Sequence, residues 1–294
     1  MRRRATARPS PQALAARLTL ALLAAAASAC APPVAVRHYA PSATLVTAKV
    51  PAAVASLSAS CQRTQSYRLR RTSGSWYGED SVRAACGGRE SALRDVARAN
   101  RVLAAYFSAL GTLAGGKRGE LNASVDALAD AAGGSVGLDD AKANAVAALA
   151  SFVASRGAEG YRRTKLRDAI AEQNANVVTV TTLLHEILDR DFTRYLRDDA
   201  TAQTAFYRSA LTESAAREPL AAILIRDSYD DRQAELSRRT DAVNALSRAL
   251  VVVGRGHQRL YDARDHLGTR ELLAEIVASA RELDIAIAKM DKAF

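Results

Sequence analysis

The chain is short of the residues that build sheet: aromatics make up 5% of its 294 residues, and no stretch alternates apolar and polar positions as a half-buried strand must. It has no glycine-rich loop to cradle a phosphate and no serine in the turn of a nucleophile elbow, so no motif supports catalysis. Histidine is scarce. None of the four follows a glutamate by three positions, which excludes the paired Glu-x-x-His ligands of a ferritin-like di-iron centre; no metal and no cofactor is expected. Proline and glycine gather at a few points, and none interrupts 161–218.

What is present is alanine, leucine and helical periodicity. Leu93, Val96, Asn100, Leu103, Phe107, Leu110 and Ala114 recur by three and four, as do Leu121, Val125, Leu128 and Ala132. Gly115-Gly116 and Gly133-Gly134 supply helix stops between them. A further helix is expected from about Asp139 to Ser155. The uninterrupted segment 161–218 keeps a heptad rhythm through Leu166, Ile170, Gln173, Val177, Val180, Leu184 and Ile187. Its phase then slips, because Leu184, Leu188, Phe192 and Tyr195 are spaced four, four and three, a stutter that unwinds a supercoil locally. A break near Asp198-Asp199 is expected to shorten this rod. Pro219 begins or kinks a helix, and the apolar run Leu220 to Ile225 reads as a buried turn or crossover.

Heptads resume with Leu236, Val243, Leu250 and His257 in one seam and Leu246, Val253, Leu260 and Leu267 in the other. Gly268 reads as a stop and Thr269 as the N-cap of a last helix through Leu273, Ile276, Ala280, Leu283, Ile287, Met290 and Phe294. The expected fold is all-α: an antiparallel, left-handed helical bundle of five to seven helices, several long and coiled-coil-like.

The N-terminus carries Arg2, Arg3, Arg4, Arg8 and Arg17, then an apolar stretch from Leu18 to Ala29 too short to remain as a spanning anchor, then Ala27-Ser28-Ala29-Cys30. This resembles the type II signal peptide of bacterial lipoproteins. The resemblance implies cleavage before Cys30, a diacylglycerol thioether on its sulfur and acylation, by palmitate or a similar chain, of the new amino terminus. Removing residues 1–29 takes five arginines and no acid, so the formal charge of +10 falls to +5. A mildly basic envelope protein has no nucleic acid as partner. Ala31 follows the cysteine where aspartate would mark inner-membrane retention, so the resemblance points to the outer membrane, facing the periplasm. Pro32, Pro33, Pro41 and Pro51 make 30–51 read as a flexible tether, with 52–294 as a single helical domain.

Cys61 and Cys86 remain once Cys30 takes lipid, and an oxidising compartment favours a disulfide closing the loop 61–86, worth roughly 3 kcal/mol; zinc lacks further ligands nearby, and a free buried pair is the remaining alternative. That loop holds Arg63, Tyr67, Arg68, Arg70, Arg71, Trp76 and Tyr77, a mixture of guanidinium groups and rings suited to an anionic ligand or a partner protein; it serves equally as a solvated loop plugging the bundle end. His257, with Gly254 and Gly256 before it and Asp262 and Asp265 after it, is either a second small site or a satisfied core imidazole. Asn100 and Gln173 interrupt apolar seams and are expected to set register.

The function expected from these features is a non-enzymatic, lipid-anchored envelope scaffold or adaptor with a protein partner. The alternative is a ligand-binding lipoprotein that captures an anionic envelope component such as a phosphate, a carboxylate or a glycan. An adaptor should leave an apolar stripe uncovered, for instance along Tyr195 to Leu211. A ligand module should instead show a concave pocket with convergent arginines.

Overall fold

The computed structural model describes residues 33–73, 79–115, 139–156 and 163–293, and among these the chain is helical throughout, with no strand. Its helices are α1 (Val34–Thr47), α2 (Val50–Ser73), α3 (Glu79–Leu113), α4 (Asp140–Arg156), α5 (Arg163–Glu186), a π-helical turn (Ile187–Phe192), α6 (Thr193–Ser214), α7 (Pro219–Asp262) and α8 (Arg270–Met290). The expected helix 121–132 lies outside the described residues, as do the signal segment, Cys30 and Phe294.

Residues 33–51 are not a tether. Ala35, Val36, Tyr39, Ala40, Ala43 and Val46 of α1 are fully or almost fully buried against α3, α7 and α8. The prolines permit this because of where they fall. Pro33 is the N-cap of α1 and Pro51 lies in the first turn of α2, where a missing N–H costs nothing; Pro41 lies on the exposed face of α1, where water can solvate the carbonyl it frees. The stretch Val34–Arg70 is apolar and long enough to meet a membrane-span criterion, but its apolar side of α1 is bundle core.

At its far end α3 stops where expected. Gly115 takes φ +103°, and Arg37 of α1 donates from Nε to the Ala114 carbonyl at 2.6 Å, satisfying one of the orphan carbonyls of the helix end. Asn100, buried in the same seam, donates from Nδ2 to the Thr47 carbonyl at 3.0 Å and so ties the end of α1 to the middle of α3. This is the register role expected of it.

Helix α5, the π-turn and α6 form one continuous rod. The phase slip at Leu184, Leu188, Phe192 and Tyr195 is absorbed by the π-turn, whose wider winding lets Leu184, Leu188, Phe192 and Leu196, spaced by four, all face the core. No break occurs at Asp198-Asp199. Asp199 is buried there instead.

Pro219 starts α7, which then runs unbroken for 44 residues, about 66 Å at helical rise. Both heptad seams hold within the helix, where Leu236, Val243, Leu246, Leu250, Val253, His257 and Leu260 are buried; Leu267, expected to end the second seam, lies beyond the helix and is half-buried. This helix ends at Asp262, earlier than Gly268 suggested, and Thr269 occupies the N-cap of α8 in extended backbone without a side-chain hydrogen bond. In α8 Leu272, Ile276, Leu283 and Met290 face inward, whereas Leu273 and Ile287 are only half-buried.

Cys61 and Cys86 are bonded at 2.05 Å, both buried, and join α2 to α3. The described residues between them are helical, the end of α2 and the start of α3, and not the loop expected from sequence. Helices α2 and α6 run in the same direction, since Ser60 meets Asp199 and Tyr67 meets Phe206. The end of α2 and the α6–α7 turn consequently lie at one end of the bundle. The start of α1, packed against Ala114 at the end of α3, lies at the other.

Leu283 is 1% exposed in the α8 seam, so Leu283→Ala should lower the unfolding free energy by about 2 to 5 kcal/mol in chemical denaturation. A loss under about 1 kcal/mol would place this leucine outside the core.

Candidate functional site

Four places in the described residues combine polar chemistry with a cavity, a buried position or an exposed apolar face. The first is His257. The glycines beside it do not line a site. A Cβ on Gly254 would lie 2.7 Å from Oγ1 of Thr181, and one on Gly256 would lie 2.6 Å from the Tyr39 ring, so both serve close packing of α7 on α5 and α1. The imidazole is fully buried and uses both nitrogens within the protein: Nδ1 lies 2.9 Å from Oδ1 of Asn174 and Nε2 lies 2.7 Å from the Tyr106 hydroxyl. An amide oxygen only accepts, so Nδ1 carries the proton and Nε2 accepts from Tyr106.

The chain of hydrogen bonds continues outward, Asn174 donating to Gln258 at 2.7 Å and Gln258 to Asp262 at 2.9 Å. Asp265 is not part of it and pairs with Arg167 at 2.8 Å. With nothing presented to a ligand, His257 is the satisfied core histidine of the two alternatives. Burial pushes its pKa down to about 3, and the Tyr39 and Tyr106 hydroxyls are held well above the ordinary tyrosine range by the same desolvation. Tyr39 donates to the Val253 carbonyl at 2.7 Å and stacks edge-on against Phe107 at 5.6 Å.

The second place is a cleft of about 590 Å³ beside the π-turn, lined among others by Asp95, Lys142, Arg190, Asp191 and Tyr195. Its charges are of both signs and pair with one another or with neighbours: Arg190 and Arg194 with Asp191 at 3.1 and 3.5 Å, Arg98 with Asp95 at 3.9 Å, Lys142 with Asp139 at 3.1 Å. Such a lining has little net field to offer an ion.

The third lies where α2, α6 and α7 meet. Buried Asp199 accepts from the Ser60 hydroxyl at 2.5 Å and has Nη2 of Arg63 3.5 Å away. Desolvation raises its pKa, against the lowering pull of Ser60 and Arg63. Oδ1 of Asp199, Nε2 of Gln203 and Nη2 of Arg63 are buried without a hydrogen-bond partner among the described residues. Next to this group opens a cleft of about 500 Å³ lined by Arg63, Arg70, Arg232, Tyr67, Phe206 and Tyr207 among others, with no carboxylate in its wall. The rings form a cluster, Tyr67 lying 5.1 Å from Phe206 and 6.0 Å from Tyr207, and Tyr207 lying 5.5 Å from Tyr229. Burial, then the neighbouring Tyr207, pushes the Tyr67 hydroxyl up to about 12, so it stays a neutral donor.

Of the residues expected from the cystine segment, Arg70 lines this cleft, and Arg68 sits exposed on α2. The Arg71 side chain, Trp76 and Tyr77 lie outside the described residues. Arg232, Phe206 and Tyr207 were not expected. They come from α6 and α7, far along the chain from α2.

The fourth is the α6–α7 end of the bundle. The apolar run after Pro219 is not buried: Leu220, Ile223 and Leu224 are 71%, 58% and 59% exposed. Conversely, the 195–211 face expected to be uncovered packs against α2 and α7, with Leu196, Ala202 and Gln203 buried. Among the described residues no group of three or more His, Cys, Asp or Glu side chains gathers as a metal site, and His185 pairs with Ser247 at 2.8 Å. No protein-family model, curated protein or solved structure matches the chain.

His257 gives the protein a pH signature. Its folded pKa, about 3, lies below the unfolded value near 6.5, so the unfolded chain binds the proton first and stability is lost as pH falls from about 6.5 towards 3. Between those limits the unfolding free energy should drop by about 1.4 kcal/mol per pH unit from this group. Denaturation of His257→Gln at a series of pH values should lack that component. An unchanged slope would mean that the imidazole is not held neutral.

Proposed function

We propose that the chain is a non-enzymatic, lipid-anchored scaffold or adaptor of the bacterial envelope, held in the membrane through acylated Cys30 and docking another envelope protein through the apolar end of its bundle. The observation that carries this is the exposure of Leu220, Ile223 and Leu224. These three positions, spaced three and four apart, share one face over the first two turns of α7, where nothing in the described fold covers them. Surface apolar residues scattered singly are ordinary, but a grouped face at the tip of a helical hairpin is the kind of surface that a partner helix or groove accepts.

The two ends of the bundle support the same reading. From Leu224 to Gly256, which packs on Tyr39 of α1, α7 spans about 48 Å at helical rise. The apolar tip thus faces away from the end at which α1 begins, and an anchor at Cys30 would leave it free to meet a partner in the periplasm. The lipobox supports outer-membrane attachment, and the mild charge supports protein and not nucleic acid as the partner.

Two variants test this. Cys30→Ser should yield a folded protein released from the membrane fraction; a Cys30→Ser protein that stays membrane-bound would overturn the lipid anchor. In-cell crosslinking followed by mass spectrometry should recover a stoichiometric envelope protein with the wild type, and lose it with Leu220→Ser/Ile223→Ser/Leu224→Ser. A partner retained by the triple variant at wild-type level would remove the tip from the interface.

A further inference from the structure

We infer that the arginine- and aromatic-lined cleft between α2, α6 and α7 binds a sugar that carries a phosphate or carboxylate group. The inference is independent of the adaptor proposal, since it concerns a concave site between the bundle core and the exposed tip.

Three guanidinium groups, those of Arg63, Arg70 and Arg232, converge on a cleft whose wall contains no carboxylate. Guanidinium presents planar, forked N–H donors that match the oxygens of a carboxylate or phosphate two at a time. Arg232 uses Nη1 towards Glu235 at 2.9 Å, which holds the side chain in place while other N–H groups of the same fork remain for a ligand. Nη2 of Arg63 is buried, 3.5 Å from Asp199, and has no hydrogen bond among the described residues.

The size and flanks of the cleft select the rest of the ligand. A volume of about 500 Å³ far exceeds a bare inorganic ion and falls within the usual range for small organic ligands, about 300 to 1,000 Å³. Tyr67, Phe206 and Tyr207 supply ring faces on which the C–H face of a pyranose can pack, and the Tyr67 hydroxyl, held neutral, supplies a hydrogen bond. Gln62 and Ser66 add further polar groups to the wall, as a polyhydroxylated ring requires. The other cleft, beside the π-turn, differs on the deciding point: its wall carries the carboxylates of Asp95, Asp139 and Asp191 as well as cations.

Isothermal titration calorimetry of the purified full-length chain with glucose 1-phosphate, glucuronic acid and uncharged glucose tests the inference. At least one charged sugar should bind saturably at one per chain and about tenfold or more tighter than glucose, and which of the two binds distinguishes phosphate from carboxylate. Arg70→Gln/Arg232→Gln should weaken that binding by about tenfold or more, with the thermal midpoint unchanged. Absence of saturable binding by either charged sugar at millimolar concentration would overturn the inference, as would equal binding of glucose or unaltered binding by the double variant. Should the double variant fail to fold, phenylglyoxal modification of the wild type decides instead. The bound sugar should slow modification of Arg70 and Arg232, read by mass spectrometry; an unchanged rate overturns the site.

Discussion

At Gly256 the backbone of α7 lies so close to the Tyr39 ring that no other residue would fit without displacing it, and two positions earlier Gly254 meets Thr181 of α5 in the same way. This approach of three helices governs the core. It brings His257, one residue further on, between Tyr106 of α3 and Asn174 of α5, so that one side chain bridges helices contributed by three distant parts of the sequence. The geometry leaves the imidazole no water. It is tolerable only because both nitrogens are bonded and the ring is neutral, whereas a charged ring there would carry an unrepaid desolvation cost of several kcal/mol. Tyr39, Phe107, Tyr106 and Phe152 form a ring cluster beside it, successive rings lying 5.5 to 5.7 Å apart, which places four of the chain's few aromatic residues where they fix the packing of α1, α3, α4 and α7.

The opposite half of the molecule follows a different rule. There, among the described residues, Asp199 keeps one buried oxygen without a hydrogen-bond partner and Gln203 and Arg63 each keep a buried nitrogen, whereas Asn100 and Arg89 hold one such atom each elsewhere. Native interiors seldom leave such groups clustered, because each costs about 1 to 3 kcal/mol. The π-turn belongs to the same half. By adding a residue to one turn it rotates α6 relative to α5, and so turns Asp199, Phe206 and Tyr207 towards α2 while Leu188, Phe192 and Leu196 keep the hydrophobic seam intact.

Much of this is legible in the sequence, and the exceptions have physical causes. The heptads of α7 predict their own burial because one helix in a bundle repeats one environment; the slip at Leu188 and Phe192 announces the π-turn because a shift of phase must be accommodated somewhere. The prolines mislead. Pro33 and Pro51 mark helix starts as readily as they mark an extended tether, and only the packing of α1 against α3 and α8 decides between them. The apolar run at Leu220 misleads for the converse reason, since hydrophobicity alone does not reveal whether another helix reaches far enough to cover it. Asp199 is illegible as a buried group because its hydrogen-bond partner Ser60 lies 139 positions away. For the same reason the cleft, built from α2, α6 and α7, shows only its α2 share, Arg63, Tyr67 and Arg70, within one stretch of sequence.

Helical α1 also changes what an anchor at Cys30 would do. An extended tether of some twenty residues would allow the bundle to wander tens of ångströms from the bilayer, whereas three residues from Cys30 to Pro33 reach only about 10 Å. Under the lipid-anchor proposal the end holding Arg37, Ala114 and Gly115 would therefore sit against the headgroups, with the long axis of α7 directed away from them. The cleft lined by Arg63, Arg70 and Arg232 would then open well beyond the membrane surface, and the apolar tip at Leu220, Ile223 and Leu224 further still. Under that proposal an anionic sugar reaching the cleft would have to come from the aqueous side and not from lipid headgroups, because the helices would hold the arginines too far out to touch the bilayer.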